Sequence, residues 1–370
     1  NMKIKLPKIK FLKPKNKRIL ALDNETFYRH KFFLNKTLYN TLFTRYEEFY
    51  FFIFIKSLFI FFVKQKKLTI IQIYILETIK WLDPKYIITF TDYNHFFLTL
   101  KNYFPQKKII IFQNSYRSHG TLKNIIRKLS LLKKNNKGKL TLDYFFIFGK
   151  KLLRYYDRYF KTKFIMCGCI RNNLKTKKIK QDKKSLVIIS HYTNSLNIYK
   201  IRYYKLVNSL NSIAKYCKLH KFNIVIFGRA DPSYEQDEKN FYKEVFKDVS
   251  FKYYSRKTLG HYYNSEKYSY FISFTSTLGY ELATKYKRVA FIYGSLIQEP
   301  NKELRFGYPQ KLKKEGNFWT HSLGEKEIFR ILNYTRNVSN NDWKHLINKI
   351  VRPVMDFDNG NKNIKKVFGI

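Results

Sequence analysis

The chain has 370 residues, with 73 Lys and Arg against 26 Asp and Glu and a formal net charge of +47. That length suits two domains better than one, and 45% apolar and 19% aromatic residues exclude a disordered chain despite the charge. No stretch reaches the ~20 uninterrupted apolar residues of a spanning helix, no signal-like segment is read at the start, and Cys167, Cys169 and Cys217 lack disulfide-framework or metal-ligand spacing. The expectation is a cytoplasmic, globular, two-domain protein, peripheral at most to the inner face of a membrane.

Short apolar runs recur along the chain. In the first half strands are predicted at Arg18–Asp23, Tyr86–Thr91, Lys108–Gln113, Tyr144–Phe148 and Phe164–Cys167, with a helical or mixed stretch between the first two. In the second half they are predicted at Leu186–Ser190, Asn223–Gly228, Ser250–Tyr254, Tyr270–Thr275 and Arg288–Tyr293. Continuous apolar runs, rather than alternation, mark parallel strands covered on both faces. Two successive strand–helix series predict an α/β protein of two Rossmann-like domains facing a central cleft, with ligands at the carboxyl ends of the strands. The divisions are a basic arm at 1–17, a first domain at 18–172, a Lys-rich join at 173–184, a second domain at 185–340, and a helix and tail at 341–370 that returns toward the first domain.

The charge has two readings. Lys, Asn, Ile, Phe and Tyr all have AT-rich codons, so genome composition supplies part of the excess, but Asp and Glu codons tolerate AT as well. Residues 1–18 carry eight basic residues and no acid, and residues 121–185 carry twenty against Asp143, Asp157 and Asp182. Such a surface attracts polyanions, an anionic leaflet included. An RNA role needs a stacking platform or a recognised module; neither is present, so no specific nucleic acid is expected. Solvated charge competes with membrane attraction.

The stretch Tyr270–Ala283 (YFISFTSTLGYELA) carries the most chemistry. A strand runs into Thr275, Ser276 and Thr277, hydroxyl residues suited to cap a helix whose free N–H groups also bind phosphate. Glu281, one turn in, is placed to accept from ribose hydroxyls; the alternative is a capped helix with a solvent-facing glutamate. Arg229, after the strand end at Gly228, suits a bidentate phosphate contact or a pair with Asp231. His191 reads either as a phosphate or sugar contact or as structural. In the first half Asp92 and Glu25 are the candidate general bases. Asn94, Gln113, Asn114 and Arg117 are candidates for holding a hydroxylated acceptor. The phosphate loop, G-x-G-x-x-G and G-x-S-x-G patterns are absent, and Asp356-Phe357-Asp358 lies beyond the last helix, so neither metal nor cofactor is expected.

Taken together, RILALDNE from Arg18, IFQNSYR from Ile111, DYFFIFG from Asp143, CGCIRNN from Cys167, FISFTSTLGYELA, RFGYP from Arg305 and GNFW from Gly316 resemble bacterial surface-carbohydrate biosynthesis proteins, a group similar to GT-B fold glycosyltransferases. The resemblance covers roughly residues 18–325. It implies a GT-B-like fold in which the second domain holds a nucleotide-sugar donor and a surface-polysaccharide or lipid-linked glycan is the acceptor. By position it implies donor contacts from Ser276, Thr277 and Glu281, Arg229 near the phosphate, and a cleft shaped by Arg305, Tyr308 and Trp319. The family pattern prefers Trp at Tyr308 and Gly at Ser115. A CDP-polyol phosphotransferase on the same scaffold and a non-catalytic RNA-binding or scaffold protein are the alternatives. The Phe-rich segment Phe49–Val63, with Lys56, Lys64, Lys66 and Lys67, either lies at a membrane surface or is a helix buried on the sheet.

Overall fold

The computed structural model describes residues 7–370 except 23–30, 32, 45–47, 64–67, 176–178, 194–199, 248, 257–259 and 294–304; the side chains of 200–203 are also left out. Near its start, β1 (Lys8–Lys10) pairs in parallel with β4 (Glu48–Tyr50). Two six-stranded sheets, parallel throughout, carry the rest.

The first sheet contains β2 (Ile19–Leu22), β3 (Tyr39–Leu42), β5 (Tyr86–Thr89), β6 (Lys108–Phe112), β7 (Leu140–Ile147) and β8 (Phe160–Met166), in the order β3-β2-β5-β6-β7-β8. The second contains β9 (Asp182–Ile189), β10 (Asn223–Phe227), β11 (Phe251–Tyr254), β12 (Tyr268–Ser273), β13 (Arg288–Ile292) and β14 (Trp319–Thr320), in the order β11-β10-β9-β12-β13-β14. Relative to their own first strands, the second sheet reads 3-2-1-4-5-6 and the first 2-1-3-4-5-6. Both are doubly wound patterns, with strand order reversing beside β9 and beside β2.

The longer helices are α1 (Phe51–Val63), α2 (Ile70–Leu82), α3 (His119–Asn135), α4 (Lys200–Leu219), α5 (Glu235–Val245), α6 (Thr277–Thr284), α7 (Glu325–Asn337), α8 (Asn340–Leu346) and α9 (Lys362–Phe368). Local chemistry starts them where the sequence permits. Thr69 caps α2 in a reciprocal box, its Oγ1 accepting from the Gln72 N–H at 3.3 Å while Gln72 Oε1 accepts from the Thr69 N–H at 2.9 Å. No helix among the described residues is long and apolar enough to cross a membrane.

Packing explains the apolar runs. Ile87, Ile109, Ile111 and Leu22 face one core layer of the first sheet, and Ile88, Ile110, Ala21 and Phe112 face the other. In the second sheet Val187, Val225 and Phe271 face one layer and Ile188, Ile226 and Ile272 the other. Each run is therefore apolar at successive positions because both of its faces are covered.

The structure corrects several boundaries. β9 begins at Asp182, so Asp182–Lys184 belong to a strand rather than to the polar join, and Asn173 at the join's start is fully buried. β3 and β4 lie within the stretch read as helical or mixed, and β1 lies in the basic arm. β3 (YNTL) and β14 (two residues) are too short or too polar for a periodicity to register. After α8 the chain continues as a π-helical turn at Ile347–Val351 and reaches the first lobe, where Phe357 forms an antiparallel bridge with Gly168. Gly168 has φ of +60°, and a Cβ there would lie 1.9 Å from the Asp356 carbonyl, so only glycine fits. Asn173 fastens the return: its Nδ2 donates to Asn361 Oδ1 at 2.9 Å, and its Oδ1 accepts from the Asp358 N–H at 3.1 Å. Phe368 of α9 then packs on Tyr86 and Phe33 of the first lobe at 5.3 and 5.9 Å between ring centroids.

In α6, a Cβ on Gly279 would lie 2.3 Å from Ser273 Oγ and 2.9 Å from the Phe291 ring. Gly279→Ala is expected to cost about 1–3 kcal/mol through overpacking. It is read as a lower urea midpoint at unchanged slope; an unmoved midpoint shows that α6 shifts freely.

Candidate functional site

The carboxyl ends of β10, β9 and β12 lie side by side. The Ser190 N–H, just past β9, donates to the Phe227 carbonyl at 3.0 Å. His191 Nδ1 and Thr275 Oγ1, past β9 and β12, are 3.3 Å apart. These two strands flank the reversal of strand order, the place where doubly wound sheets bind ligands. Ser276 caps α6, its Oγ accepting from the Leu278 N–H at 3.2 Å, and Thr277 opens the helix. The helix thus presents its N-terminal N–H groups at the reversal point.

Glu281 lies one turn into α6 and is 2% exposed, which removes the reading of a solvent-facing glutamate. Its carboxylate sits at the junction of the lobes beside Cys169, Arg171 and Tyr262. Burial first, and the Glu281 charge second, push the Cys169 thiol up to about 11 and raise the Tyr262 phenol further. The Arg171 guanidinium lies 5.4 Å from the Tyr262 ring centroid. Glu281 Oε2 has no hydrogen-bond partner. Its main-chain carbonyl accepts from Asn172 Nδ2 at 2.7 Å, tying α6 to the end of the first lobe.

Arg229 is exposed just past β10 and forms no ion pair among the described residues. The pairing with Asp231 is not formed; Arg256 takes that carboxylate at 3.1 Å and also donates to the Arg229 carbonyl at 3.3 Å. Two guanidinium groups therefore share one strand end. Beneath them Glu238 of α5, fully buried, accepts from the Arg229 and Ala230 N–H groups at 3.0 and 2.8 Å, from the Tyr253 hydroxyl at 2.7 Å, and from the Ser190 hydroxyl. Gly228 leaves room for Tyr253, whose hydroxyl would lie 2.1 Å from an added Cβ and would have to shift.

In the first lobe, Asp92 and Arg117 form a buried ion pair. Arg117 also donates to Ser115 Oγ at 3.0 Å and to the Tyr156 hydroxyl at 3.4 Å, so its donors are committed to the protein rather than offered to an acceptor. Asp92 Oδ1 has no partner. Asn94 is a helix cap, its Oδ1 accepting from the N–H groups of Phe96 and Phe97 at 3.0 and 3.3 Å. Gln113 is structural as well: it accepts from the Phe148 N–H and donates to the Ser115 carbonyl, both at 2.8 Å. Glu25 lies outside the described residues.

Aromatic rings close the junction. Tyr116 of the first lobe stacks on Tyr280 of α6 at 4.6 Å, and its hydroxyl donates to the Tyr308 carbonyl at 2.9 Å. Tyr308 packs edge-on against His119 at 5.4 Å, with burial pushing its phenol up to about 12. Arg305 is exposed. Trp319 does not line the cleft; it is buried in β14, stacks on Phe306 at 5.0 Å and donates to the Lys313 carbonyl at 3.0 Å. A crevice of the first lobe, about 20 Å³ and so room for about one water, is lined by Gln113, Asn114, Phe148, Cys169 and Arg171 among others.

Residues 110–368 match the protein family described as "putative O-antigen biosynthesis protein". The chain belongs to this family. No curated protein matches the sequence. Among solved structures, the chain is similar to the S. aureus MnaA–UDP co-structure (13% identity, 95% of this chain and 97% of that one, TM-score 0.55). It is similar also to UDP-GlcNAc 2-epimerase from Methanocaldococcus jannaschii (11%, 95% and 99%, TM-score 0.55) and to sucrose-phosphate synthase from Thermosynechococcus elongatus (9%, 95% and 98%, TM-score 0.53). At these identities the likeness is one of fold: this O-antigen biosynthesis family member has the GT-B-like arrangement of two Rossmann-like lobes.

Within that fold the candidate residues separate into groups. His191, Thr275, Ser276 and Thr277 meet at one reversal point, Arg229 lies one strand beyond β9, Glu281 lies at the lobe junction, and Asn114 lines the first-lobe crevice. Arg117, Asn94, Gln113 and Trp319 all make hydrogen bonds within the protein, Gln113 while also lining the crevice. Sequence reasoning missed Glu238, Cys169, Arg171 and Tyr262. Glu238 carried a faint signal, an acid-rich helix start (EQDE) shortly after the Gly228-Arg229 strand end; the others carried none, because their meeting with Glu281 depends on how the lobes pack.

Proposed function

We propose that the protein is a glycosyltransferase that moves a sugar from a nucleotide-activated donor to a surface-polysaccharide or lipid-linked glycan. The single observation that carries this reading is the convergence of His191, Thr275 and the capped N-terminus of α6 at the strand-order reversal of the second sheet. Neighbouring strands lie about 4.8 Å apart, so Arg229 at the end of β10 is roughly 10 Å from the end of β12, a span suited to phosphate groups at one side and a nucleoside at the other. Family membership supports a role in surface carbohydrate synthesis.

In the proposed reaction, Asp92 takes the acceptor hydroxyl proton through its unpartnered Oδ1, with Arg117 orienting the carboxylate. The acceptor oxygen bonds to the anomeric carbon as the bond to the nucleotide phosphate breaks. Arg229 and the N–H groups of α6 receive the charge on the departing phosphate, and Glu281 supports the nucleoside from the lobe junction. Saturation with UDP a hundredfold above its Kd is expected to stabilise the protein by about 2.7 kcal/mol, read as a higher melting temperature. Glu281→Gln is expected to lose most of that shift, measured from the variant's own ligand-free melting temperature; a full shift in the variant counts against the assignment. A response to CDP instead of UDP favours the polyol-phosphate reading.

The full-length overlap with the 2-epimerase fold favours one second reading, epimerisation of a nucleotide sugar. Turnover separates the two. An epimerase interconverts its substrate with no acceptor present, whereas a transferase releases the nucleotide only in step with glycan elongation.

A further inference from the structure

We infer that α1 and the strand-and-loop segment packed beside it form a docking face for an anionic phospholipid bilayer. The inference goes beyond glycosyl transfer and stands whichever reaction the cleft performs.

Only Ile53 and Ser57 of α1 are buried, so the reading of Phe49–Val63 as a helix buried on the sheet does not hold. Phe52, Ile55, Phe59, Phe62 and Val63 are exposed, with Phe52, Phe59 and Phe62 at 63%, 62% and 73%. At about 100° per residue they fall within one stripe of the helix, opposite the side that rests on α2 through the Phe54–Tyr74 contact at 6.3 Å. The stripe is extended by the segment after β1. Phe11 lies 5.4 and 6.4 Å from the Phe51 and Phe52 rings, and Leu12 beside it is 84% exposed. A contiguous apolar face of this kind, left open on a water-soluble fold, marks an interaction surface.

Charge selects the occupant. Lys8 of β1, Lys13 over Trp81 of α2, and Lys56 on α1 itself are exposed beside the face. The acids of β4 and α2 are neutralised: Glu48 pairs with Lys10 at 2.5 Å, and Glu77 with Lys56 and Lys80 at 2.8 and 2.6 Å. An apolar stripe with a lysine rim fits a bilayer whose headgroups carry negative charge, the apolar side chains entering the acyl boundary and the lysines reaching the phosphates. A second copy of the chain fits poorly, because a two-fold interface brings each lysine rim against its own image.

Co-sedimentation of the full chain with vesicles tests this. The protein is expected to bind vesicles containing phosphatidylglycerol, and less well those of phosphatidylcholine alone. Combining Phe52→Ser, Phe59→Ser and Phe62→Ser is expected to reduce that binding by about tenfold or more, with the melting temperature unchanged because all three side chains are exposed. Lys8→Gln and Lys13→Gln, made separately as a check independent of apolar contacts, are expected to lower it about fivefold each. Absence of wild-type binding to phosphatidylglycerol vesicles overturns the inference, as does undiminished binding by the triple serine variant. So does a lipid-free dimer that the serine substitutions dissociate, since a second copy then covers the face.

Discussion

Arg117→Met is expected to destabilise the first lobe by about 3–5 kcal/mol, because the Asp92 carboxylate is then left buried without its countercharge. Both members of the pair are almost fully enclosed, and the guanidinium additionally bridges Ser115 and Tyr156. In thermal unfolding this corresponds to a drop on the order of 10 °C in the transition of that lobe. The double change Asp92→Asn with Arg117→Met is expected to recover a large part of the loss, since no buried charge remains. A single variant that melts with the wild type shows that Asp92 is not held as an enclosed ion. The double variant also separates stability from chemistry: it removes the proposed base, so refolded protein that still elongates glycan at the wild-type rate removes Asp92 from the mechanism.

The second large effect is expected from Glu238→Ala. One carboxylate holds the end of β10 by the Arg229 and Ala230 N–H groups, the start of the loop after β9 by Ser190, and β11 by Tyr253. Its removal leaves several enclosed donors unmet, each costing about 1–3 kcal/mol, and the sum is moderated wherever water enters the space. Beyond stability, the Arg229 main chain loses its anchor, so UDP affinity is expected to fall by about tenfold or more in protein that remains folded below its melting point. Isothermal titration with UDP alongside urea unfolding distinguishes the outcomes. A loss of stability with unchanged affinity shows that the loop after β10 does not touch the nucleotide.

Much of the fold was legible in the sequence because parallel strands covered on both faces must be apolar at successive positions. KIIIF, LVII, NIVIF and RVAFI are short, rich in β-branched and aromatic residues and bounded by polar clusters, and each became a buried strand. The start of α6 was legible too, since hydroxyl side chains cap a helix through atoms only a few residues away. What the linear order could not state was which polar groups would be spent on the scaffold. Asn94 caps a helix, Gln113 ties β6 to β7, and Trp319 fills a core, and nothing in their spacing separates these tasks from ligand contact.

The sequence by itself determined the two parallel sheets, the helix start at Ser276 and the basic, aromatic-rich character of the chain, all of which follow from short-range periodicity and side-chain type. Only the tertiary structure decided that Glu281 meets Cys169, Arg171 and Tyr262, that Arg256 rather than Arg229 takes Asp231, and that α1 turns its phenylalanines outward. These contacts join residues far apart in the chain, and the face an apolar helix buries depends on what the rest of the molecule leaves for it to cover.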